Sequence, residues 1–580
     1  MKAKYMMPVL GLTGIALLSG CNSNSDNRVE QADLGTSSAT LISDDNYQFK
    51  DLDRDGKLTP YEDWRLSDKV RVDDLIGRLS LAEKVGLMMH GTLTLDGNGR
   101  VDLSAMDSVL KTNLVNTFIT RMGGDPALIA TDNNSLQAVA ESIGFGIPMS
   151  ISSDPRNHFV NDPNATSVGA GDFSQWPETL GFAAVNDADL VEEFADIARQ
   201  EYRAVGIQIA LSPQADLATE PRWGRISGTF GEDNLTSKGL VQAYIEGFQH
   251  GNNGLVEDSV VTVVKHFAGG GPQKNGLDAH NYFGKEQAYP GDNFAYHLVP
   301  FEGAFNAKVA SVMPYYGQPE DLTYKGETIE SVGFGFNKQV LNDILRGDYG
   351  FEGVVLSDWL IVNDCVEECI TGLSPEQVAA GVSPWSIIGK MGMSWGVENL
   401  SIKDRYAKAV NAGVDQFGGV DDPSYLLAAV NEGLITETRI DQAVSRILLQ
   451  KFQQGLFENP YVDVAQAVAL VGNSDFQAKA QAAQSKSHVL LKNNGDLLPL
   501  TDTAKKVYLY NVNSDVAESY GFTVVSDLAD AELAILRVST GYETDPAYPF
   551  GSIHFGQLGL DSAESVVQDI DHEGVYTGAD

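Results

Sequence analysis

Short apolar runs alternate with segments of helical periodicity through most of the chain. Runs without polar alternation are typical of strands that are buried on both faces, as in parallel sheets. Eight of them occur between residues 85 and 417: Val85–Met89, Leu114–Thr120, Pro148–Ser152, Ile207–Leu211, Val260–Val264, Val309–Met313, Gly353–Leu356 and Gly413–Phe417. Eight strand–helix units predict an α/β fold in the form of a (β/α)8 barrel of the TIM type. A doubly wound sheet is the alternative, although it seldom contains so many units.

The 580 residues exceed what one hydrophobic core usually supports, so we expect more than one domain. The predicted barrel domain spans residues 45–455 and is followed by a connector at 456–500. Residues 501–580 have a second, smaller α/β pattern, with strands predicted at Val507–Tyr510 and Leu533–Val538. About eighty residues are fewer than a stable open sheet usually needs, which indicates a partial, sandwich-type domain that is truncated or divergent.

Residues 1–21 have the pattern of an export signal, with a basic start and the apolar stretch Met6–Leu18. The Leu-Ser-Gly-Cys that ends at Cys21 resembles a bacterial lipobox, which implies cleavage before Cys21 and membrane attachment through its lipid. In bacterial lipoproteins, an Asp directly after the lipidated cysteine is the signal for retention in the inner membrane. This chain has Asn22 at that position. The resemblance therefore implies a lipoprotein of the outer membrane, periplasmic or on the cell surface of a Gram-negative bacterium. Residues 22–44 predict a disordered tether. A soluble precursor with an incidental cysteine is the alternative.

The formal net charge of −39 restricts the possible partners. Such an acidic chain would be repelled by phosphates, which argues against the binding of nucleic acid. The charge is typical of a surface that keeps a protein soluble, including in a salty medium. Beyond the N-terminus, no stretch is long and apolar enough to span a bilayer. The oligomeric state cannot be read from the sequence.

Cys365 and Cys369 are the two cysteines outside the signal. Export to an oxidising compartment permits a disulfide between them. Their spacing places them one helical turn apart and close to bridging distance. The sequence therefore allows either a disulfide or two free thiols. With no histidine nearby, two cysteines do not make a zinc site.

Residues 51–62 match the calcium loop of an EF-hand position by position. Gly56 occupies the sixth place, where the loop must turn sharply. Oxygen ligands are predicted at the first, third, fifth, seventh and twelfth places: Asp51, Asp53, Asp55, the main-chain carbonyl of Lys57, and Glu62. A single loop of this kind predicts a structural Ca²⁺ ion rather than a sensor or a catalytic metal. A polar turn without a metal is the alternative.

Polar residues follow several of the predicted strands at the end where each strand stops. Asp154 follows the third strand, Lys265 and His266 follow the fifth, and Asp358 follows the seventh. Taken singly, each could be a salt-bridge partner, a helix cap or a core histidine. In a parallel barrel the carboxyl ends of the strands meet on one face, so these side chains are expected to converge on one pocket. Carboxylate, ammonium and imidazole groups together suit a ligand with many hydroxyls.

Five segments together resemble glycoside hydrolase family 3, the family of β-glucosidases and exo-β-glucanases: GVVLSDW, VVKHFAGGG, PRWGRISGTFGED, VMPYY and HVLLKNNGDLLPL. They occur in the family's order between Phe49 and Glu543. The resemblance implies a retaining hydrolase in which Asp358 is the nucleophile and Trp359 stacks on the neighbouring sugar. It also implies that the substrate is bound by Asp154, Arg225, Lys265 and His266, with Met313 and Tyr316 lining the site.

The resemblance implies two candidates for the catalytic acid/base. In two-domain members the acid/base is a Glu on a loop of the second domain, and Glu543 in GYETD occupies that place, although an ordinary surface Glu is the alternative. Asp278-Ala279-His280 resembles the Asp-x-His dyad of the family's β-N-acetylglucosaminidases, which carry Ser where this chain has Ala279. We therefore expect Glu543 to be the acid/base and the dyad to shape the site.

These features predict a retaining, exo-acting β-glucosidase that releases glucose from β-linked oligosaccharides through a glycosyl-Asp358 intermediate, with no cofactor for catalysis. A β-N-acetylglucosaminidase that uses Asp278 and His280 is the first alternative. The second is a surface lipoprotein that binds carbohydrate but lacks effective catalysis, because the second domain is incomplete.

Overall fold

The computed structural model describes residues 30–159, 168–500, 505–538 and 545–549. Its centre is a closed barrel of eight strands, each parallel to its neighbours and hydrogen-bonded in chain order, with the last strand pairing with the first. The strands are β1 (Met89–Thr92), β2 (Thr117–Ile119), β3 (Ser150–Ser153), β4 (Ile209–Ala210), β5 (Val261–Phe267), β6 (Ser311–Pro314), β7 (Val354–Trp359) and β8 (Gln416–Gly418). The predicted (β/α)8 barrel is confirmed.

The first predicted strand is wrong, whereas the other seven overlap observed strands. Val85 and its neighbours form the end of the helix Leu81–Leu87, and β1 begins only at Met89. Ser80 and Glu83 start this helix with a capping box, in which each side chain bonds the main-chain N–H of the other. A short apolar run does not distinguish a buried strand from a buried helix, so the cap was the more informative signal.

Helices surround the barrel and bury their apolar faces against it. Asp125, Asp187 and Asp233 each cap a helix by accepting main-chain N–H groups of its first turn. Between β1 and the end of the barrel domain, the main helices are Asp107–Lys111, Pro126–Glu141, Thr179–Val185, Ala188–Ala204, Asn234–Gln249, Phe294–Asn306, Gln339–Asp348, Ile402–Ala412, Ser424–Asn431 and Glu437–Gln453. Asp68–Arg78 precedes the barrel, and Val464–Leu470 and Ser474–Lys486 follow it.

A long insertion follows β7 and carries short helical turns at Glu368–Thr371, Pro375–Ala379 and Pro384–Lys390. Cys365 and Cys369 form a disulfide within it, with their Cα atoms 5.3 Å apart. Lys390 pairs with the carboxylates of Glu367 and Glu368, so the third turn is tied to the disulfide loop. The insertion therefore forms a cross-linked rim beside β7.

An antiparallel hairpin, Thr40–Asp44 with Tyr47–Asp51, lies beside the C-terminal end of the helix Pro126–Glu141. Glu141 joins the two by accepting the main-chain N–H groups of Ser37, Ser38 and Ala39. Burial favours the neutral acid, but these N–H groups and the ammonium of Lys50 outweigh it and lower the pKa of Glu141 to about 2. The charged carboxylate thus fastens residues 37–39 to the barrel. The prediction of a disordered tether at residues 22–44 is wrong for its last part, because Thr40–Asp44 pairs with Tyr47–Asp51.

A smaller parallel sheet follows the connector, with Lys506–Tyr510 between Thr523–Val525 and Leu533–Leu536. Both strands predicted in this region overlap observed strands. Several of its apolar side chains are exposed, including Leu536. Within the described ranges, no helix is long and apolar enough to cross a membrane. Cys21 and Glu543 lie outside the residues that the structure describes.

Candidate active site

A cavity of about 290 Å³ opens at the carboxyl ends of the barrel strands. It brings together every described residue that the sequence predicted for catalysis or substrate binding: Asp154, Arg225, Lys265, His266, Met313, Tyr316, Asp358 and Trp359. These residues come from five consecutive strands, β3 to β7, or from the loops that follow them, so the parallel barrel explains why they converge.

Asp358 ends β7 with its carboxylate in the cavity. Its Oδ1 accepts the main-chain N–H of Trp359 at 2.8 Å, whereas Oδ2 lies 3.8 Å from Nε2 of His266. Among the described residues, Oδ2 has no hydrogen-bond partner. Burial and the nearby Asp358 charge raise the pKa of the Tyr316 hydroxyl well above its usual value, so Tyr316 stays neutral beside the carboxylate. Asp358 therefore has one oxygen held and one oxygen available to a ligand.

His266 is oriented by a residue that the sequence did not single out, Asp216. The Nδ1–H of His266 donates to Oδ2 of Asp216 at 2.7 Å, and its main-chain N–H donates to Oδ1 at 3.1 Å. Burial lowers the pKa of His266 in spite of Asp216, so the ring is neutral near pH 7. Its Nε2 lies 3.5 Å from Nη1 of Arg225. Asp216 follows β4 by a few residues, so a wider search of polar residues after each strand could have found it.

Asp154 holds two cations, one from each neighbouring part of the ring. Oδ2 lies 2.5 Å from Nη1 of Arg121, and Oδ1 lies 3.4 Å from Nζ of Lys265. Burial alone would raise the pKa of Asp154, but the two cations outweigh it and lower that pKa below its ordinary value. Arg121 directly follows β2 and lines the cavity. The sequence analysis missed it, although it occupies the same strand-end position as the residues that were predicted.

Aromatic side chains form the wall of the cavity near Asp358. Trp359 packs against Gly418 and Gly419, where a Cβ atom at Gly419 would lie 2.6 Å from the indole ring. The rings of His90 and Trp359 are in a T-shaped contact, with their centroids 5.3 Å apart. Trp385, from the insertion after β7, also lines the cavity. No sequence signal identified Trp385, because its segment has neither a strand nor a recognisable motif.

The Asp278–His280 dyad is assembled in the structure. The Nδ1–H of His280 donates to Oδ1 of Asp278 at 2.5 Å, and the indole Nε1–H of Trp223 donates to Oδ2 at 2.6 Å. Burial would raise the pKa of Asp278, but His280 and Arg225 outweigh it and lower the pKa far below its ordinary value. His280 lines the cavity beside Tyr316, with ring centroids 4.9 Å apart. A charged carboxylate thus orients an imidazole at the cavity wall.

Residues 545–549, which follow Glu543 closely in the chain, lie against the barrel domain. The hydroxyl of Tyr548 donates to the main-chain carbonyl of Ile370 at 3.2 Å, and the N–H of Leu373 donates to the carbonyl of Ala547 at 2.9 Å. The ring of Tyr548 also contacts Phe283, at a centroid distance of 5.3 Å. Asp545 and the next four residues are therefore held beside the insertion that follows β7.

Three of the predicted metal ligands lie together in the structure. Carboxylate oxygens of Asp51, Asp53 and Asp55 lie within 4.8 Å of one another. Glu62 is turned elsewhere, because its Oε1 accepts the N–H of Leu52 at 2.7 Å and its Oε2 accepts the hydroxyl of Thr59 at 2.7 Å. Oxygen donors of this kind suit Ca²⁺, and the three aspartates are the part of the set that fits an ion.

The family model described as the glycosyl hydrolase family 3 N-terminal domain matches residues 103–449. A periplasmic β-glucosidase/β-xylosidase of Dickeya chrysanthemi is 50% identical over 533 residues, which are 91% of this chain and 80% of the relative. β-Glucosidase C of Emericella nidulans is 40% identical over 510 residues, which are 86% of this chain and 77% of the relative.

Solved structures confirm the fold. A β-glucosidase of Erythrobacter marinus has a TM-score of 0.63 at 24% identity, and covers 80% of this chain and 59% of its own. A β-glucosidase of Listeria innocua in complex with glucose has a TM-score of 0.60 at 22% identity, with coverages of 83% and 61%. This chain thus spans about three fifths of these two proteins and about four fifths of the two relatives above. The expectation of a glycoside hydrolase is confirmed, and the chain belongs to glycosyl hydrolase family 3.

Proposed function

We propose that the protein is a retaining, exo-acting β-glucosidase in which Asp358 is the nucleophile. The observation that carries the proposal is the buried carboxylate of Asp358 at the carboxyl end of β7. It lines a cavity rich in hydroxyl-binding groups, and its Oδ2 has no hydrogen-bond partner among the described residues. The bound glucose would present its anomeric carbon to Oδ2. Arg225, Lys265 and His266 would hold the hydroxyls, and Trp359 would stack on the sugar in the leaving group.

The proposed reaction has two steps. Oδ2 of Asp358 attacks the anomeric carbon and forms a glycosyl–enzyme ester, while an acid protonates the departing glycosidic oxygen. Water then attacks the same carbon, the ester bond breaks, and the acid residue, now a base, takes the proton of the water.

Glu543 is the proposed acid/base. It lies two residues before Asp545, which begins the segment that Tyr548 anchors beside the insertion after β7. This anchoring supports the proposal, because it holds residues 545–549, which follow Glu543 closely in the chain, beside the insertion that contributes Trp385 to the cavity. In a retaining enzyme the two carboxyl groups work at a separation of about 5–5.5 Å.

A β-N-acetylglucosaminidase is the second candidate. The observation that favours it is the dyad, in which Asp278 orients His280 at the wall of the cavity. In this case His280 Nε2, rather than Glu543, would carry the proton to the leaving group. The relatives favour glucosides, and the name of the Dickeya protein covers both glucosides and xylosides, so the preferred sugar also belongs to the proposal.

The deciding experiment is incubation with 2,4-dinitrophenyl 2-deoxy-2-fluoro-β-glucoside, followed by mass spectrometry of peptides. This leaving group departs without protonation, so the nucleophile becomes labelled even when the acid/base residue is ineffective. We expect a fluoroglucosyl adduct on Asp358, and none in Asp358→Asn. Absence of an adduct on Asp358, while the Dickeya relative is labelled, would refute the glucosidase.

Activity on cellobiose and on an aryl N-acetylglucosaminide then separates the alternatives. The proposed glucosidase cleaves cellobiose and loses that activity in Glu543→Gln. The second candidate cleaves the N-acetylglucosaminide and loses that activity in His280→Ala. A lipoprotein that only binds carbohydrate would cleave neither natural disaccharides nor aryl glycosides at an appreciable rate.

Two further assignments are part of the proposal. Lipid attachment at Cys21 would place the protein on the outer membrane, facing the periplasm or the cell surface. One Ca²⁺ ion would be held by Asp51, Asp53 and Asp55, with a structural role in fixing the hairpin and no part in the reaction.

A further inference from the structure

Arg121 lies in the cavity but belongs to no motif that identified the family. Its guanidinium bonds Oδ2 of Asp154, while Lys265 occupies Oδ1 of the same carboxylate. Two cations therefore share one anion at this end of the cavity. A sugar hydroxyl placed there would meet both a charged donor and a charged acceptor, the arrangement that binds hydroxyls most strongly.

The position of this cluster in the ring defines which part of a sugar it meets. Asp154 on β3 is separated from Asp358 on β7 by β4, β5 and β6 on one side and by β8, β1 and β2 on the other. The two carboxylates thus lie across the mouth from each other. A pyranose with its anomeric carbon at Asp358 would place C4, and the C5 substituent beside it, at Asp154 and Arg121.

The two cations differ in how open they are. The side chain of Lys265 is 7% exposed and lies in the interior, whereas that of Arg121 is 34% exposed. Lys265 is therefore suited to a hydroxyl on the ring itself. Arg121 is the more exposed of the two, and its guanidinium carries five N–H donors in a planar fork, a geometry that can serve a hydroxyl on an exocyclic carbon.

We propose that Arg121 is a specificity-determining residue that donates a hydrogen bond to the 6-hydroxyl of a bound glucose. Xylose has no carbon at this position, so Arg121 makes the pocket select β-glucosides over β-xylosides. The inference rests on the proposed function, because it takes the anomeric carbon to be at Asp358. A site that hydrogen-bonds a substrate hydroxyl rejects an analogue without it, since its own polar groups are then left unpaired.

The test compares kcat/KM for three 4-nitrophenyl glycosides: the β-glucoside, the 6-deoxy-β-glucoside and the β-xyloside. The 6-deoxy sugar differs from glucose by one oxygen atom. We expect Arg121→Ala to lower kcat/KM roughly tenfold or more for the glucoside and less than about threefold for the other two. Arg121→Lys, which keeps the charge on a shorter donor, is expected to recover part of the glucoside rate and also guards against failure of the alanine variant to fold.

Arg100→Ala is the matched control, because Arg100 forms the same kind of ion pair with Asp132 outside the cavity. It is expected to leave all three rates unchanged. An equal fall of all three rates in Arg121→Ala, or no change in any, would overturn the inference while leaving the glucosidase intact. A wild-type protein that cleaves none of the three substrates and shows no adduct on Asp358 would instead overturn the proposed function, and this inference with it.

Discussion

The carboxylate of Asp216 accepts the Nδ1–H of His266 at 2.7 Å and thereby turns Nε2 of the ring toward Arg225 and Asp358. Asp216 also accepts the main-chain N–H groups of His266 and Gly270, so one buried carboxylate sets both the ring and the turn that carries it. It acts on a substrate only through His266.

Replacing Asp216 with asparagine is expected to lower kcat/KM for an aryl β-glucoside about tenfold or more. An amide has one acceptor oxygen where the carboxylate has two, and bonds to charged groups contribute about 1.5–3 kcal/mol each. The rate at which fluoroglucoside labels Asp358 should fall in parallel, as followed by mass spectrometry. A variant with lower thermal stability but an unchanged labelling rate would show that Asp216 has a structural role alone.

Gly419→Ala is expected to raise KM for cellobiose severalfold more than KM for an aryl glucoside with a small leaving group. Gly419 has φ +77°, and its Cβ would collide with the indole of Trp359 at 2.6 Å. Gly433→Ala is the control, because Gly433 has φ +75° but no neighbour within 4 Å of a Cβ. Equal KM changes in both variants would mean that backbone strain, and not the position of Trp359, is responsible.

Because His90 is buried, the free energy of unfolding is expected to decrease as the pH falls from 7 to 5. Burial lowers its pKa from 6.5 to about 3, so below pH 6.5 the unfolded chain binds a proton that the folded chain does not. Stability is therefore complete above pH 6.5 and decreases with falling pH, by about 2 kcal/mol between pH 7 and 5. Urea unfolding at both pH values measures this. His90→Gln should lose that part of the pH dependence; an identical dependence in the variant would contradict the assignment.

Tyr548→Ala is expected to weaken catalysis only where the leaving group needs a proton. Its hydroxyl and ring hold the segment after Glu543 on the barrel, so their loss should slow cleavage of cellobiose while dinitrophenyl glucoside is cleaved nearly as before. Tyr520→Ala is the control, since Tyr520 is exposed on the smaller sheet domain. Equal losses on both substrates in Tyr548→Ala would contradict a selective effect on protonation.

Addition of 1 mM CaCl2 to protein treated with a chelator is expected to raise Tm by several degrees, because an ion that binds only the folded state stabilises it by mass action. Asp53→Asn should abolish this shift, since Asp53 belongs to the cluster of three carboxylates. Asp107→Asn, which alters an exposed carboxylate on a surface helix, should retain it. If CaCl2 does not change the Tm of the wild-type protein, the calcium assignment is wrong.

The barrel was predictable because seven of its eight strands overlap predicted strands. In a parallel barrel, a polar residue at the carboxyl end of a strand lies at the mouth. Lys265, His266 and Asp358 were found in this way. Arg121 lies two residues after the end of β2 but was not predicted, because it belongs to no recognisable motif. Trp385 could not be predicted, because its place depends on the path of the insertion after β7 and not on any local pattern.

The cluster of Asp154, Lys265 and Arg121 lies across the barrel mouth from Asp358, so under the proposed function the terminal sugar of the substrate occupies the space between them. A glucan of any length then offers the enzyme one reactive terminus. Under this proposal, the rate of digestion depends on how many termini are present and not on the mass of polymer. Cutting the same glucan into shorter pieces with an endo-acting enzyme should accelerate glucose release in proportion to the number of new termini, with no change in the protein itself.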